Sequence, residues 1–310
     1  MPSLTISSAA KPPPFARGLP VTLEYDANTT VADVKAQIAA KFPKFYPARQ
    51  KLSLKNERGS LGDEKNLVDV VGEKGSELQV KDLGPQVSWQ TVFLVEYGGP
   101  LLIHPLIYHL PKIFYGQNVQ HSTLQKFVYV FVLLHFFKRE LETIFVHRFS
   151  HGTMPLRNIF KNSAHYHILS GLALAYDIYR PKFSATSSYI TGTIRDNETF
   201  LWICTGLWAF AQLSNLHTHL TLRALRPANS RVRAVPYGYG FSLISCPNYF
   251  FESLGWVVIS AMTGSVAAAV FAVVSTGQMV LWALKKHKNY KKEFGKVYPR
   301  GRYAMIPFVV

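Results

Sequence analysis

Between Leu254 and Leu284 the chain is a nearly unbroken apolar run, and it opens directly behind Ser245-Cys246-Pro247-Asn248-Tyr249-Phe250-Phe251-Glu252. A helix needs about 20 apolar residues to cross a bilayer, so a run of this length constrains the chain more than any other feature. The stretch in front of it sets an amide, a phenol and a carboxylate within one or two helical turns of an oily segment. Polar groups at that depth are costly to desolvate and are therefore paired or used. Basic residues lie on both sides, Arg223, Arg226, Arg231 and Arg233 before and Lys285 to Arg302 after. An oily substrate on one side and an anionic cofactor on the other would suit this arrangement.

The 34 Lys and Arg against 18 Asp and Glu give a net charge of +16, which raises the question of nucleic acid. The basic residues, however, flank apolar runs instead of forming a stripe on a soluble surface. That distribution fits the positive-inside rule and contact with lipid or phosphate anions, and no nucleic-acid partner is expected. Cys204 and Cys246 form no CxxC pair and no disulfide framework. Met1 to Arg17 has no apolar core and carries Pro12, Pro13 and Pro14, so no signal peptide is expected and the N-terminus is placed in the cytosol.

Residues 1–83 read as a small α+β domain. Leu4-Thr5-Ile6-Ser7 and the alternating Val21-Thr22-Leu23-Glu24-Tyr25 are strand signals. Thr30 followed by Asp33 predicts a capping box, and Val31, Val34, Ile38 and Phe42 then recur at helical spacing. Lys51 to Leu54 and Glu77 to Val80 supply further strands, with a short turn-like element at Asn66 to Val71. This order, with Thr-Val-Ala-Asp-Val-Lys opening the helix, resembles ubiquitin. The resemblance stops at Leu83-Gly84-Pro85, where a conjugating Gly-Gly tail is missing, so it implies a fused β-grasp module and not a modifier.

Residues 84–310 read as an all-α, multi-pass membrane bundle of about six helices. The candidate segments are Thr91 to Leu110, Phe127 to Phe137, Ile168 to Tyr179, Phe200 to Leu213, Phe250 to Met262 and Val266 to Leu284. Trp202, Trp208, Trp256 and Trp282 are expected in interfacial belts. Lys285, Lys286, Lys288, Lys291, Lys292, Lys296, Arg300 and Arg302 place the C-terminus in the cytosol, which with a cytosolic N-terminus calls for an even number of spans.

Three clusters could carry chemistry. Asn215, His219, Arg223 and Arg226 fall on one helical face, and arginine forks suit phosphates; a lipid-facing basic rim would look the same. Tyr249, beside Asn248 and three residues before Glu252, is a possible proton donor or, more plainly, an interfacial anchor. Lys138, Glu140, Glu142, His147, Arg148, Ser150 and His151 run into Gly152-Thr153-Met154-Pro155 and read as a charged cytosolic loop. His147 and His151 have metal-ligand spacing, but Phe149-Ser150 fills the middle of the would-be HExxH, the water-activating glutamate is absent, and no metal is expected. Neither GxSxG nor GxGxxG occurs in a strand-turn-helix context.

His147-Arg148-Phe149-Ser150-His151-Gly152-Thr153-Met154-Pro155, Ser245-Cys246-Pro247-Asn248-Tyr249, and Tyr298-Pro299 leading to Ile306-Pro307-Phe308 resemble the very-long-chain trans-2-enoyl-CoA reductases. These are endoplasmic-reticulum membrane enzymes of the steroid 5α-reductase superfamily, and the leading ubiquitin-like domain fits them too. The resemblance implies the last step of the fatty-acid elongation cycle, in lipid and sphingolipid metabolism. NADPH would deliver hydride to C3 of a very-long-chain enoyl-CoA, and a proton would reach C2. It further implies Tyr249 as proton donor, Gln86 and Glu96 as a second important pair, and other elongation enzymes as partners. NADPH would be held by Asn215, Arg223, Arg226, Asn248 and Glu252, with Lys286 and Tyr290 nearer the C-terminus. Two departures stand out: His219 where steroid reductases carry Asp, and Lys286 where they carry His. Steroid specificity is therefore not carried over. A reductase of another electron-poor alkene, a membrane methyltransferase and a non-enzymatic scaffold displaying the ubiquitin-like domain are the alternatives.

Overall fold

The computed structural model describes residues 2–55, 57, 59–72, 77–149, 152–226 and 234–310. They divide into two compact units, Met1–Trp89 with His151–Asn158 and Gln90–Ser150 with Ile159–Val310.

In the first unit, strands β1 (Ser3–Ser8), β2 (Val21–Glu24), β3 (Gln50–Leu54) and β4 (Leu78–Asp82) form one sheet in the order β2-β1-β4-β3. The central pair β1 and β4 is parallel and the outer pairings are antiparallel, which with helix α1 (Val31–Lys41) makes a β-grasp, ubiquitin-like arrangement. The predicted capping box is present: Asp33 N–H donates to Thr30 Oγ1 at 3.3 Å and Thr30 N–H donates to Asp33 Oδ2 at 2.8 Å. Val31, Val34 and Ile38 of α1 bury against Leu4, Ile6, Leu52 and Leu78 of the sheet. Asn66 to Val71, expected as a turn, contains a single helical stretch, α2 (Leu67–Val71).

The same unit holds a pairing that the sequence reading did not anticipate. Strand β5 (Gln86–Ser88) pairs antiparallel with β6 (Thr153–Pro155), Val87 opposite Met154. Thr153-Met154-Pro155 is thus strand and not loop, and Met154 is buried. Ser150 and His151, named above, lie outside the described residues, as do Arg231 and Arg233.

The second unit is helical. Its elements are α3 (Trp89–His109), α4 (Pro111–Tyr115), α5 (Thr123–Phe145), α6 (Arg157–Ala164), a π-helical stretch (His165–Ala173), α7 (Leu174–Ile178), α8 (Glu198–Ala224), α9 (Pro247–Thr263) and α10 (Val266–Phe294). Every apolar run named above falls in a helix, and several helices outlast their run because the polar ends are helical as well. α5 begins at a Ser122–Gln125 capping box and continues eight residues past Phe137, through Lys138, Arg139 and Glu142. α8 packs on α5 and α9, and α9 on α10. The turn between α9 and α10 is sharp: Gly264 is left-handed at φ 65° and Ser265 Oγ accepts from Ala268 N–H. A Cβ at Gly264 would lie 2.4 Å from the Tyr189 hydroxyl, so that corner needs glycine on both counts.

Among the described residues, one helix, Val266–Val297, is long and apolar enough to cross a membrane by length and composition. α3, though continuous, includes Glu96, His104 and two prolines in its 21 residues, charged residues fill the end of α5, and α9 has only 17 residues. The count of six crossings is therefore not established by the helices taken singly. Two tryptophans correct the expected belts. Trp208 stacks on Phe131 (4.5 Å, 8°) and Trp256 meets Phe271 (4.6 Å, 90°), both in the core; Trp202 and Trp282 are exposed.

At the end of β4, Arg49 grips Asp82 with both fork nitrogens (Nε–Oδ1 2.9 Å, Nη2–Oδ2 2.5 Å). Burial opposes ionisation of Asp82, but the Arg49 hydrogen bond and the Gly84 N–H outweigh it and hold the carboxyl below its ordinary range. A carboxyl with a depressed pKa stabilises the fold above its unfolded value and loses that contribution as pH falls through the folded value. Asp82→Asn should therefore destabilise the β-grasp unit by about 1–2 kcal/mol at neutral pH. The gap to wild type should close below about pH 4. Hydrogen exchange of the β3–β4 amides checks this; a gap independent of pH would contradict it.

Candidate active site

Helices α3, α5, α8 and α9 bring a polar network into the interior of the second unit. Its centre is Glu142, buried near the C-terminus of α5. Arg139 Nη1 donates to Glu142 Oε2 at 2.7 Å and Lys138 Nζ to Oε1 at 3.2 Å, and His219 Nδ1 lies 3.1 Å from Oε1. Helical geometry dictates the first two, since residues three and four apart share a face. Arg139 Nη2 also donates to the Tyr97 hydroxyl on α3 (2.8 Å), and its guanidinium lies 5.0 Å from that ring's centre. Lys138 donates in addition to Asn215 Oδ1 on α8, and Asn215 Nδ2 donates to the backbone carbonyl of Asn248 on α9 at 2.8 Å. One continuous chain of contacts thus runs from α3 to the first turn of α9. Further inside, His135 Nδ1 meets Gln212 Oε1 at 3.1 Å. Gly255 permits that approach, because a Cβ there would stand 2.8 Å from Gln212 Nε2.

Along α9, Asn248, Tyr249 and Glu252 point their chemistry at two sets of neighbours. The Glu252 carboxylate lies in the field of Arg139, His135, His219 and Lys138. Asn248 Oδ1 is buried without a hydrogen-bond partner among the described residues. Tyr249, half-buried, has the Lys286 ammonium of α10 at 6.0 Å from its ring centre and Trp282 at 6.3 Å. Lys286 also lies 5.8 Å from the Tyr290 ring centre. Of the residues singled out in the sequence, Asn215, Asn248 and Glu252 therefore gather at the network, while Tyr249, Lys286 and Tyr290 form a second group one residue along α9.

The remaining candidates sit elsewhere. Arg223 is exposed at the last turn of α8. Arg226 lies beyond that helix, where its guanidinium donates to the Arg148 carbonyl at 2.9 Å, so the expected single face holds for Asn215 and His219 but not for Arg226. Glu96 on α3 is 2% exposed; it bonds to Asn162, and its Oε1 has no partner among the described residues. Gln86 belongs to the first unit, where its Nε2 donates to the carbonyls of Leu83 (3.1 Å) and Gly84 (3.2 Å).

Lys138 and Glu142, read from the sequence as part of a charged cytosolic loop, are the residues that sequence reasoning misplaced, and Arg139 between them is one that it missed. Their i, i+3 and i, i+4 spacing after an apolar run was the available signal. Tyr97 and His135 gave none, as single polar groups in apolar runs. Glu142, His147 and His219 offer carboxylate and imidazole atoms within 4.8 Å of one another, a possible ligand set for a cation. Burial, and after it the charge of Arg139, pushes the His147 imidazole well below its ordinary range, which keeps it neutral. Two side-chain cations already sit on the Glu142 carboxylate, so we read the trio as part of an ion-pair network.

Comparison with known proteins agrees with this architecture. Residues 152–310 match the family of 3-oxo-5-alpha-steroid 4-dehydrogenases, and residues 22–82 match the ubiquitin-like domain named for TECR. The chain is 39% identical to the very-long-chain enoyl-CoA reductase of Dictyostelium discoideum, over 92% of this chain and 93% of that one. It is 45% identical, over 99% of both, to a Schizosaccharomyces pombe protein provisionally named an enoyl reductase. Against the human trans-2,3-enoyl-CoA reductase-like protein it is 33% identical, over 91% of this chain and 78% of that one. The chain belongs to the 3-oxo-5-alpha-steroid 4-dehydrogenase family, in the branch of the very-long-chain enoyl-CoA reductases that carries an N-terminal ubiquitin-like domain.

Removing Glu142 would strand a buried arginine and a partly buried lysine. Glu142→Ala should cost about 3–5 kcal/mol of stability, read as a lowered unfolding midpoint in detergent. Glu142→Ala with Arg139→Met should cost clearly less than the two single changes added together. Strict additivity would show that the two groups do not act as a pair.

Proposed function

We propose that this protein reduces very-long-chain trans-2-enoyl-CoA to the saturated acyl-CoA with NADPH, the last step of fatty-acid elongation. The observation that carries the reading is local to α9: a half-buried phenol, Tyr249, flanked by the Lys286 ammonium and adjoining a buried amide oxygen, Asn248 Oδ1, that no described residue satisfies. The names of the relatives support the same substrate class.

The residues fit a nicotinamide dinucleotide. An unpaired acceptor, Asn248 Oδ1, suits a carboxamide N–H, and the unpaired Arg139 Nε suits an anionic oxygen. Asn215, Asn248, Glu252, Arg223, Arg226, Lys286 and Tyr290 are the proposed contacts. When bound, NADPH supplies the hydride that forms the new C3–H bond. Charge then builds on the thioester oxygen and on C2, and Tyr249 gives its proton to C2. The phenolate left on Tyr249 is stabilised by the nearby Lys286 charge until solvent returns the proton. Glu96, whose carboxyl is buried and incompletely paired, is proposed in a supporting role.

The setting is proposed to be a multi-pass membrane domain of the endoplasmic reticulum, with both termini and the active site facing the cytosol. Support comes from the outward faces of the helices. Val130, Leu134, Phe137, Leu141 and Phe145 of α5 recur at three- and four-residue spacing and are all exposed, as are Ile203, Leu207, Phe210 and Leu213 of α8 and Val266, Val270, Val273 and Leu281 of α10. Apolar patches of that extent are not left in water. Their counterpart is the ionic interior, the distribution that spanning bundles adopt.

Purified protein in detergent should oxidise NADPH when given a long-chain trans-2-enoyl-CoA. Tyr249→Phe should lower kcat by at least about 100-fold, the scale of a lost general acid, with NADPH binding retained. Equal turnover in both would remove Tyr249 from the chemistry.

A further inference from the structure

The segment between β4 and α3 joins a β-grasp domain to a helix, and a joint with few contacts leaves a domain free to move. Here the segment is fastened along its length. Leu83 N–H donates to the Arg49 carbonyl at 2.8 Å, and Gly84 N–H donates to Asp82 Oδ1 at 2.8 Å. Gly84 is left-handed at φ 76°, which makes the turn. Gln86 fastens the segment twice more. Its side-chain amide donates to the carbonyls of Leu83 and Gly84, and its backbone N–H donates to the Tyr46 hydroxyl at 2.9 Å. Tyr46 belongs to the β-grasp domain, just ahead of β3, with the Arg49 guanidinium 6.0 Å from its ring centre.

The fastened segment in turn holds a distant stretch of the chain. Leu156 N–H donates to the Pro85 carbonyl at 2.8 Å and Trp89 N–H to the Gly152 carbonyl at 3.3 Å, which closes the β5–β6 pair at both ends. Both strands lead straight into helices, α3 at Trp89 and α6 at Arg157. α3 carries Glu96 and Tyr97 about two turns, or about 10 Å, beyond its start. α6 carries Asn162, to which Glu96 bonds, and Tyr97 receives Arg139 of the ionic network. A buried carboxyl tolerates little displacement from its partner, because water does not replace the lost bond.

We infer that Tyr46 and Gln86 are positioning residues for the reaction. Through the β5–β6 strap they fix the starts of α3 and α6 in register, and with them the Glu96–Asn162 pair. The β-grasp domain thereby serves the chemistry of its own chain. The inference rests on the proposed reductase activity, and neither residue touches the reacting atoms. Tyr46 offers the sharper handle, since phenylalanine keeps the ring and drops only the hydroxyl that accepts from Gln86.

Turnover of a long-chain trans-2-enoyl-CoA with NADPH is compared across variants of the full-length protein in detergent. Tyr46→Phe and Gln86→Leu should each lower kcat about 5- to 10-fold, the scale of one lost hydrogen bond, with NADPH affinity retained. Hydrogen exchange of the β5 and β6 amides should speed up in both. Rescue separates positioning from chemistry. Ser88 and Thr153 are directly opposed across the strands, so Gln86→Leu with Ser88→Cys and Thr153→Cys can close the strap with a disulfide. Oxidised, this variant should regain most of the lost turnover; reduced, it should lose it again. Equal turnover in wild type and Tyr46→Phe would overturn the inference and leave the reductase reading in place. A Gln86→Leu deficit that the disulfide leaves untouched would also overturn it, by assigning Gln86 to the reaction itself. Wild-type protein that turns over no enoyl-CoA would overturn both readings together.

Discussion

The Glu142 carboxylate is the interaction on which the rest of the helical unit depends. It receives Arg139, Lys138 and His219, and through them α3, α8 and the first turn of α9 are tied to α5. Each of these groups alone would be too costly to bury. Together they compensate one another, and the contacts fix which helix faces meet. The candidate catalytic stretch is positioned by the far end of this chain, where Asn215 holds the Asn248 backbone one residue before Tyr249. Stability and chemistry therefore share a scaffold: the side chains that neutralise the interior also set the place where a cofactor is proposed to lie.

This arrangement adds a buried polar network to the apolar core and leaves apolar rows on the outer faces. Arg139, Glu142, His135, Gln212, Asn215 and His219 are inside, while rows of leucine, valine and phenylalanine on α5, α8 and α10 are outside. In the β-grasp unit the usual order holds, with Leu4, Ile6, Ile38, Leu52 and Leu78 inside and the ion pair Lys55–Glu77 toward solvent. The contrast explains how one chain of unremarkable average composition contains two kinds of unit. It also accounts for the reach of α5 and α8, whose polar ends remain helical because their side chains are satisfied within the unit.

Much of this was legible in the sequence. The Thr30–Asp33 cap, the alternating strand at Val21 and the helical character of the six apolar runs rest on local pattern and appear in the structure, whereas only the last run lies in a helix long and apolar enough to cross a membrane among the described residues. What was not legible depended on partners distant in sequence. Lys138, Arg139 and Glu142 look alike whether they rim a membrane or fill a bundle, and only Tyr97, Asn215 and His219 decide between the two. Trp208 and Trp256 suit a belt as well as a core until Phe131 and Phe271 are found beside them. The strand at Thr153-Met154-Pro155 could not be seen without Gln86 to Ser88 to pair with. Arg302 lay within a lysine-rich tail that reads as a cytosolic signal, and only its burial and unpaired nitrogens set it apart.

The central claim, reduction of a conjugated thioester at the α9 site, is tested most directly by following isotopes into the product. Long-chain trans-2-enoyl-CoA would be turned over with NADPH deuterated at the transferred position, and separately with ordinary NADPH in deuterated water. Mass spectrometry should find a single deuteron at C3 in the first product and at C2 in the second. Cofactor deuterium that never reaches the acyl chain, or that appears at C2, would contradict the account.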